Sequence, residues 1–300
     1  MNITALILTF NESQHIERCI KSLLPFCDRI CVVDSFSTDD TVEKVKALGA
    51  EVFSNKWENN YAKQLNWGLQ NCNISTDWTM RIDADEYILP ELQQEITEKL
   101  DSIPENVSGI ELKRRMIFKG KWVKRGGYYP IRLLRIFRTG MGICEERLMD
   151  EHIVLESGDV IQFDHDVVDE NLNSIHWWVA KHNNYARREA TDILNQKYDL
   201  VYSTDINSTS SVKQAVLKRK IKNNFYNNLP LGVRPILYFT IRMIPLLGIL
   251  DGPRGWIFHF MQGLWYRMLV DINVMEMEEK CKGDKALMTD IIKNDWKIEF

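Results

Sequence analysis

The sequence predicts an α/β protein: a mostly parallel sheet with helices on both faces, followed by a helical appendage. Over about the first hundred residues, nearly continuous apolar runs alternate with segments whose apolar residues recur at helical spacing. This is the pattern of strands that are buried on both faces and joined by crossover helices. The last third of the chain contains instead a basic helical segment and then two apolar ones.

The first half contains four strand-like runs with helical segments between them. Strands are predicted at Ile3–Phe10, Arg29–Asp34, Val52–Phe53 and Trp78–Asp83. Helices are predicted at 16–24, after the capping residues 38–40, and at 61–69. Because ligands of parallel sheets bind at the carboxyl ends of the strands, the residues that follow these runs form the candidate site.

Beyond about residue 108, the sequence predicts strands first and then helices. Strands are expected at Ile110–Leu112, Met116–Phe118 and Leu133–Ile136, and helices at 173–198, 212–228, 235–250 and 253–278. Residues 203–211 are small and polar, which is typical of a linker. The predicted domains are therefore 1–202, with halves at 1–100 and 101–202, and a helical region at 203–300.

Composition and charge exclude several classes of protein. With 45% hydrophobic and 27% charged residues, the chain is expected to fold and not to be disordered. Its formal net charge of -4 argues against nucleic acid as a partner. The six cysteines form no C-x-x-C pair, so neither a zinc site nor a disulfide framework is predicted. The apolar run Ile3–Phe10 lacks a basic flank and is not expected to be a secretory signal.

Polar and acidic residues follow three of the predicted strands and are expected to converge on one crevice. The strongest segment is Arg81–Glu86, where Asp83 and Asp85 are two residues apart at a strand end. Both carboxylates can reach one Mg²⁺ or Mn²⁺ ion, which leaves positions open for phosphate oxygens and neutralises a departing diphosphate. The alternative is an acidic turn that caps the next helix. At the second strand end, Asp34 could accept the imide N–H of uracil, and the hydroxyls after it could position ribose or phosphate.

Four segments, in this order, resemble the family 2 glycosyltransferases, which have the GT-A fold. They are LTFNE at 8–12, VVDSFSTDDT at 32–41, AKQLNWGL at 62–69 and DWTMRIDADE at 77–86. The sequence is most similar to the branch that builds lipopolysaccharide core, capsule and other bacterial surface polysaccharides. The resemblance covers about the first ninety residues, and it is weaker for the apolar C-terminal part.

The resemblance implies a role for each matching position. It implies that nucleotide-sugar is bound by Thr9, Asn11, Glu12, Asp34, Ser35, Lys63, Asn66, Arg81 and Asp83. Asp85 matches the principal metal ligand, with Asp83 beside it, which implies Mn²⁺ or Mg²⁺ as the cofactor. Residues 1–100 become the nucleotide-sugar-binding half, and 101–202 the acceptor half.

The resemblance also implies a general base later in the chain. Asp150 and Glu151 supply the candidates, with Asp150 preferred, and the pair Glu145-Glu146 is a weaker competitor. An inverting transfer needs a carboxylate that deprotonates the acceptor hydroxyl on the face opposite the departing diphosphate. The alternative is that both acids cap a strand and face solvent.

Three further side chains are candidates for binding an anion or a metal, and each also has a purely structural interpretation. Arg132 and Arg135, expected to share one face of a short segment, could touch diphosphate or an anionic acceptor, or form a solvated basic face. His165, between two aspartates, could add a metal ligand or be structural.

The C-terminal region predicts contact with a membrane surface. The basic run Lys213–Lys222 precedes apolar and aromatic helices, which suits an interfacial region on an anionic leaflet. Arg242, Asp251 and Arg267 interrupt these helices too often for a span of about 20 apolar residues, and are expected to stay near water. The alternatives are a helical cap on the catalytic domain or a dimer interface.

Together these patterns predict an inverting hexosyltransferase that uses a nucleotide-sugar, with UDP-sugar preferred, and a glycan or polyprenyl-linked acceptor. It would act in surface polysaccharide assembly on the inner face of the cytoplasmic membrane. One alternative is a nucleotidyltransferase that makes nucleotide-sugars, but residues 8–12 lack the glycine-rich basic loop that this activity needs. The other is an inactive sugar-nucleotide-binding membrane scaffold. The oligomeric state stays open.

Overall fold

A computed structural model describes residues 2–145, 151–200, 226 and 229–298. The strands are β1 Ile3–Thr9, β2 Arg29–Asp34, β3 Glu51–Ser54, β4 Trp78–Asp83, β5 Glu86–Ile88, β6 Val107–Phe118, β7 Lys121–Trp122, β8 Ile131–Arg138, β9 Gly142–Cys144, β10 Ile153–Leu155 and β11 Asp159–Asp169. The helices are α1 Ile16–Leu23, α2 Thr41–Ala47, α3 Tyr61–Asn71, α4 Pro90–Lys99, α5 Ile175–Tyr198, α6 Val233–Met243, α7 Gly252–His259, α8 Tyr266–Cys281 and α9 Lys285–Asn294. The predicted linker 203–211 and nearly all of the predicted basic helix 212–228 lie outside the described residues.

The main sheet has the order β3-β2-β1-β4-β8-β6-β11-β5, with β7 paired to β6. The first four of these strands are mutually parallel. Their register places Thr9 beside Asp34 and Leu8 beside Asp83, so the carboxyl ends of β1, β2 and β4 meet at one edge. This confirms the predicted α/β fold with its helical C-terminal region, although the complete sheet is mixed because parallel and antiparallel pairs both occur in it.

Helices cover both faces of the parallel strands, as predicted. Alternate residues of β1 point to opposite faces, because side chains of a strand alternate. Ile3 and Ile7 belong to one core with α1 and α4, whereas Leu6 belongs to a second core with α3 and the β9–β10 hairpin. The near-continuous apolar runs in the sequence are therefore the consequence of burial on two sides.

The second half adds antiparallel neighbours and one long strand. β8 runs antiparallel to β4 and to β6, and β11 is parallel to β6 and antiparallel to β5. β6 is continuous where the sequence predicts two short strands, because its charged middle is paired with carboxylates of β11. Arg114 lies 3.7 Å from Asp169, and Arg115 lies 2.8 Å from Asp166.

The C-terminal helices build a separate core around α5. Ala186, Ala190 and Leu194 of α5 pack with Val270 and Val274 of α8 and with residues of α9. Helix α5, assigned by the sequence to the domain 1–202, thus shares its core with the region after 203. The predicted boundary itself lies outside the described residues and stays a prediction.

The first apolar helix is shorter than predicted. It ends at Met243 and not near residue 250, because Pro245 has no N–H with which to continue the helical hydrogen bonds. A 3-10 turn, Gly248–Asp251, precedes α7, and a π-helical segment, Phe260–Trp265, joins α7 to α8. Among the described helices, none is long and apolar enough alone to cross a membrane, whereas Val233–Met243 and Gly248–Cys281 together meet that length and composition with a bend of 64°.

Candidate functional site

The carboxyl ends of β1 and β2 are joined by the buried side chain of Asp34. Its Oδ1 accepts hydrogen bonds from Thr9 Oγ1 (2.9 Å) and Ser37 Oγ (2.5 Å), and its Oδ2 accepts one from Ser37 N (2.8 Å). Asp34 therefore organises the turn after β2. A carboxylate oxygen can accept more than one hydrogen bond, so Oδ2 retains the capacity to accept from a ligand.

The loops after β1 and β2 are cross-linked through Asn11, whose φ is 56°. Its backbone N–H donates to Ser37 Oγ (2.8 Å), and its Oδ1 accepts from Thr38 N (2.8 Å). Ser35 Oγ accepts from Gln64 Nε2 of α3 (3.0 Å). Two of the predicted nucleotide-sugar residues, Asn11 and Ser35, thus hold three segments together at this edge.

Glu12 belongs to a chain of hydrogen bonds that reaches the segment after β11. Leu172 N donates to His15 Nε2 (2.9 Å), so the neutral ring carries its proton on Nδ1. That nitrogen donates to Glu12 Oε2 (2.6 Å). The β1 loop and the entry to α5 are therefore fixed to each other.

Asp83, at the end of β4, is surrounded by donors. Its Oδ1 accepts from Tyr61 OH (2.7 Å), which accepts in turn from Arg81 Nε (2.9 Å). Arg135 Nη2 lies 3.3 Å from Asp83 Oδ2. Burial opposes the charge of Asp83, but Arg81, Arg135 and the Tyr61 hydroxyl outweigh it and hold the pKa of this carboxyl well below its usual range.

Arg135 and Glu86 form a buried ion pair next to Asp83, which the sequence does not predict. Burial raises the pKa of Glu86 to about 8, although Arg135 opposes this rise. The expectation that Arg132 and Arg135 act on one shared face is wrong, because residues three apart in a strand alternate in direction. Arg132 donates to the Phe163 carbonyl (3.3 Å) and not to the acidic cluster.

Asp85 has fewer protein partners than Asp83. Its Oδ2 accepts from Asn171 Nδ2 (2.9 Å), and its backbone carbonyl accepts from Arg18 Nη2 (3.2 Å). Asp169, the last residue of β11, is a further carboxyl at this site: burial, and next the charge of Asp85, raise its pKa to about 6. Asp169 follows the apolar pair Val167-Val168, the same strand-then-acid pattern that identifies Asp34 and Asp83.

Lys181 of α5 is a cation that the sequence does not single out. Its Nζ lies 4.7 Å from the ring centre of Trp177 and 5.7 Å from that of Tyr185. Burial disfavours its charge, but Tyr185 and Asp85 outweigh this and raise the pKa of Lys181. A stable positive charge therefore lies on the helix that faces the Asp85 side of the crevice.

The chemistry of these groups fits a divalent cation that is completed by a ligand. No group of three His, Cys, Asp or Glu side chains that could hold a metal is present in the part of the chain that the structure describes. Magnesium sites commonly use one or two carboxylates together with substrate phosphates. Asp85 suits this role best, since Tyr61, Arg81 and Arg135 already engage Asp83.

His165 is not brought into such a site. Its Nδ1 lies 2.8 Å from Glu95 Oε2 of α4, and Glu95 also accepts from the backbone N–H groups of Asp164 and His165. The ring lines a cavity of about 190 Å³ together with Arg115 and Tyr129. The metal-ligand hypothesis for His165 therefore finds no support among the described residues, and a structural role accounts for its contacts.

In the sequence, the candidate bases fall between β9 and β10. Asp150 and Glu146 are outside the described residues, so the choice of Asp150 stays a prediction. Glu151 lies where its charge contributes to the raised pKa of Cys144, which burial lifts to about 12. Glu145 is buried and its N–H donates to the His152 carbonyl (3.0 Å), which closes the base of this loop.

Asn66 clamps this hairpin to α3. Its Nδ2 donates to the Cys144 carbonyl (2.9 Å), and its Oδ1 accepts from the Cys144 N–H (2.8 Å). Lys63, the other predicted donor-pocket residue of α3, is half exposed and lies 3.6 Å from Glu58. Both side chains therefore contact neighbouring backbone or surface groups and not the strand-end carboxylates.

We expect Asn66→Ala to destabilise the fold by about 1–3 kcal/mol while leaving nucleotide affinity near its normal value. The alanine leaves the Cys144 N–H and carbonyl without their partner, and unpaired buried groups carry this cost. Urea denaturation measures the stability, and Asn71→Ala, which removes an exposed amide from the same helix, is the matched control. Unchanged stability with weakened nucleotide binding would support the donor-pocket role instead.

Residues 4–152 match the model of glycosyl transferase family 2. An uncharacterized glycosyltransferase of Rickettsia prowazekii (strain Madrid E) is 44% identical over 94 residues, which cover 31% of this chain and 31% of the relative. The SPbeta prophage-derived glycosyltransferase SunS of Bacillus subtilis (strain 168) is 35% identical over 85 residues, which cover 28% of this chain and 20% of SunS. The chain thus matches less than a third of the length of either relative.

Two solved structures are similar at low superposition scores. S. aureus TarS 1-349 has a TM-score of 0.45 and 16% identity, and the match covers 99% of this chain and 88% of TarS. Glucosyl-3-phosphoglycerate synthase from Mycobacterium tuberculosis, in complex with Mn²⁺, UDP and glucosyl-3-phosphoglycerate, has a TM-score of 0.32 and 26% identity, and the match covers 39% of this chain and 44% of the synthase.

Proposed function

We propose that this chain, whose residues 4–152 belong to glycosyl transferase family 2, is an inverting glycosyltransferase that moves a hexose from a nucleotide-sugar to a glycan or lipid-linked acceptor. The observation that carries the proposal is the meeting of Asp34, Asp83 and Asp85 at the carboxyl edge of parallel strands inside the matched segment. Such edges are where α/β sheets bind their ligands.

The donor we propose is a UDP-sugar. Asp34 Oδ2 has acceptor capacity for the imide N–H of uracil, and Thr9 and Ser37 fix the direction of that carboxylate. The aromatic rings of Phe10 and Phe36 follow β1 and β2 and are 58% and 61% exposed. Rings in that position can cover the faces of a nucleobase, since aromatic faces stack favourably.

We assign the diphosphate to the opposite side of the crevice. Asp85, with Asp83 beside it, would hold Mg²⁺ or Mn²⁺, which when bound neutralises charge on the departing diphosphate. Lys181 adds a protein cation near Asp85. Tyr61, Arg81 and Arg135 keep Asp83 ionised and oriented. Asn171 orients the carboxylate of Asp85.

The acceptor hydroxyl is deprotonated, in this proposal, by Asp150 in the β9–β10 loop. A base there would act as the sugar–phosphate bond breaks on the opposite face, which inverts the anomeric centre. The Asn66 clamp on Cys144 holds the first strand of that hairpin against α3. Asn66 is thus a positioning residue and makes no contact with the donor in this scheme.

The test is a screen of nucleotide-sugars for metal-dependent release of a nucleoside diphosphate, with and without candidate acceptors. Release from a UDP-hexose that requires Mg²⁺ or Mn²⁺ supports the proposal. Formation of a nucleotide-sugar and pyrophosphate from a nucleoside triphosphate would identify a nucleotidyltransferase instead. Nucleotide binding without any turnover would identify an inactive binding protein.

We place this activity in bacterial surface polysaccharide assembly, on the inner face of the cytoplasmic membrane. A polyprenyl-linked acceptor would present its sugar at the headgroup level, so an enzyme acting on it benefits from a surface that binds lipid. The exposed apolar residues of α6 and α7 are the feature that supports this location.

A further inference from the structure

The segment 233–260, called here the apolar hairpin, presents large hydrophobic side chains to solvent. It comprises α6, the 3-10 turn and α7. Val233, Ile236, Ile244, Leu247, Leu250 and Ile257 are each more than half exposed. Exposed apolar surface that is continuous over two helices and their turn marks an interaction site in a folded protein.

Arg242 and Asp251 of the apolar hairpin are turned inward, contrary to the expectation that they stay near water, whereas Arg254 is exposed. Arg242, Asp251 and His259 are all at most 3% exposed. Asp251 Oδ2 accepts from the Arg125 N–H (3.0 Å) and lies 3.2 Å from His259 Nε2. The guanidinium of Arg242 lies 3.8 Å from the ring centre of Tyr128. Arg267, which the sequence also expects near water, pairs with Glu189 of α5 and is partly exposed.

Arg125 and Tyr128 belong to the connection between β7 and β8, so the catalytic domain contacts the buried Asp251 and Arg242 of the apolar hairpin. Burial and the neighbouring Arg242 lower the pKa of His259, which keeps that ring neutral. The inner side of α7 packs Phe258 against Phe118 and Tyr128, with ring centres 5.3 and 4.7 Å apart. The apolar hairpin is therefore both a cap on the domain and, on its outer side, an uncovered apolar surface.

Exposed cations surround this surface on the side of the sheet. Lys119, Lys121, Lys124, Arg125 and Arg254 form this basic rim and are all exposed. The rim adjoins the apolar hairpin directly, because Arg254 Nη1 donates to the Lys119 carbonyl (3.0 Å) and Arg125 Nη1 to the Leu250 carbonyl (3.3 Å). Residues 112–144 contain no Asp or Glu, and residues 229–270 contain only the buried Asp251.

We propose that the apolar hairpin and the basic rim form one face that binds an anionic phospholipid bilayer. The tip around Ile244 and Leu250 enters the headgroup and acyl boundary, and the cations of the rim contact anionic headgroups. This proposal names the surface behind the membrane location proposed above. It rests on the proposed function only where it connects that surface to a lipid-linked acceptor. The sequence suggests that residues 213–222 supply the electrostatic attraction to anionic lipid. The proposal assigns this attraction to the basic rim, most of which belongs to the catalytic domain itself.

The dimensions favour insertion into one leaflet and not a span. Helix α6 has 11 residues, which corresponds to about 16 Å at 1.5 Å per residue. The hydrocarbon core of a bilayer is about 30 Å thick. Arg234, near the start of α6, lies 2.6 Å from Asp271 of α8, so the chain returns alongside α6 after the tip.

The charge distribution argues against a second copy of the chain as the occupant. In a two-fold symmetric contact the same patch meets itself, so rim cations would face rim cations around a shared apolar centre. Neither segment that supplies this face offers an exposed carboxylate to offset that repulsion. An anionic lipid surface complements the apolar tip and the cationic rim at once.

The test is sedimentation of the full chain with vesicles of phosphatidylcholine containing increasing phosphatidylglycerol. Lys121→Gln/Lys124→Gln is expected to weaken binding to anionic vesicles about 25-fold, since each basic residue near the surface contributes about fivefold. The control, Lys46→Gln/Lys56→Gln, changes net charge equally at exposed sites away from the rim and should bind like the wild type.

The apolar part is tested with Ile244→Gln/Leu250→Gln, which changes only exposed side chains and should abolish binding. Leu24→Gln, at a site 49% exposed in the catalytic domain, is the matched control. Vesicle binding that is unchanged in the apolar double variant, or absent in the wild type, overturns the proposal. Analytical ultracentrifugation without lipid tests the other occupant. If the wild type is a dimer and Ile244→Gln/Leu250→Gln is a monomer, the lipid proposal is overturned in favour of a second copy of the chain. Nucleotide-sugar turnover in lipid-free buffer should be normal in all variants; a chain that binds vesicles but turns over no donor would contradict the enzymatic proposal alone.

Discussion

Asp85→Ala is expected to lower glycosyl transfer by roughly two to four orders of magnitude and to remove the metal dependence of UDP binding, because a metal that stabilises a leaving group contributes several kcal/mol. The carboxylate at Asp85 is oriented by Asn171 on one oxygen. Asp83 is not expected to replace it, since Tyr61 and Arg135 already engage its two oxygens.

Calorimetric titration with UDP, with and without Mn²⁺, measures the metal dependence of UDP binding, and release of nucleoside diphosphate measures the loss of transfer. Asp77→Ala is the matched control, because Asp77 is an exposed aspartate just before the opposite end of the same strand, β4. Metal-dependent UDP binding that survives in Asp85→Ala would show that the cation has another principal ligand. Asp169, whose raised pKa reflects in part the charge of Asp85, would then be the next candidate.

The parallel half of the fold is predictable because its signal is local. Strands β1 and β2 are buried on both faces, so Ile3–Thr9 and Arg29–Asp34 appear in the sequence as nearly continuous apolar runs. The polar residue that ends each run lies at the carboxyl edge by geometry alone. For that reason Asp34 and Asp83 can be placed in one crevice from the sequence, and the structure brings their strand ends together.

The second half depends on pairings between distant residues, which a local pattern does not contain. β6 is continuous because Arg114 and Arg115 meet acids of β11 that lie about fifty residues later. Arg135 enters the acidic cluster and Arg132 does not, a difference that follows once residues 131–138 are known to form a strand. Helix α4 and strand β11 are absent from the predicted elements because charged residues interrupt their apolar spacing.

The charged residues of the C-terminal region also depend on partners that are distant in the sequence. Arg242 and Asp251 look unsuited to an apolar surface when only their own segment is considered. Tyr128 and Arg125, more than a hundred residues earlier, complete their environment and allow them to be buried. Their burial removes two charges from the outer side of the apolar hairpin, which lowers the cost of inserting its tip into a lipid leaflet.

Asp150→Asn is expected to leave UDP affinity near normal and to lower turnover by roughly two to four orders of magnitude, the usual effect of losing general-base assistance. The asparagine has the same shape but cannot take the proton of the acceptor hydroxyl. A base that must be ionised also gives a rate that rises with pH through its pKa, and this rise should be lost in the variant.

The parallel substitution Glu151→Gln separates the two neighbours. Glu151 lies next to the start of β10, a strand that is paired residue by residue with β9, so its direction is constrained by the hairpin. We therefore expect Glu151→Gln to retain most of the turnover and the normal pH profile, with Glu145→Gln as the control for a buried acid at the other end of the loop. If Glu151→Gln is the crippled variant and Asp150→Asn is healthy, the roles of the two residues are exchanged. If both variants turn over normally, the acceptor is deprotonated by a carboxylate outside this loop.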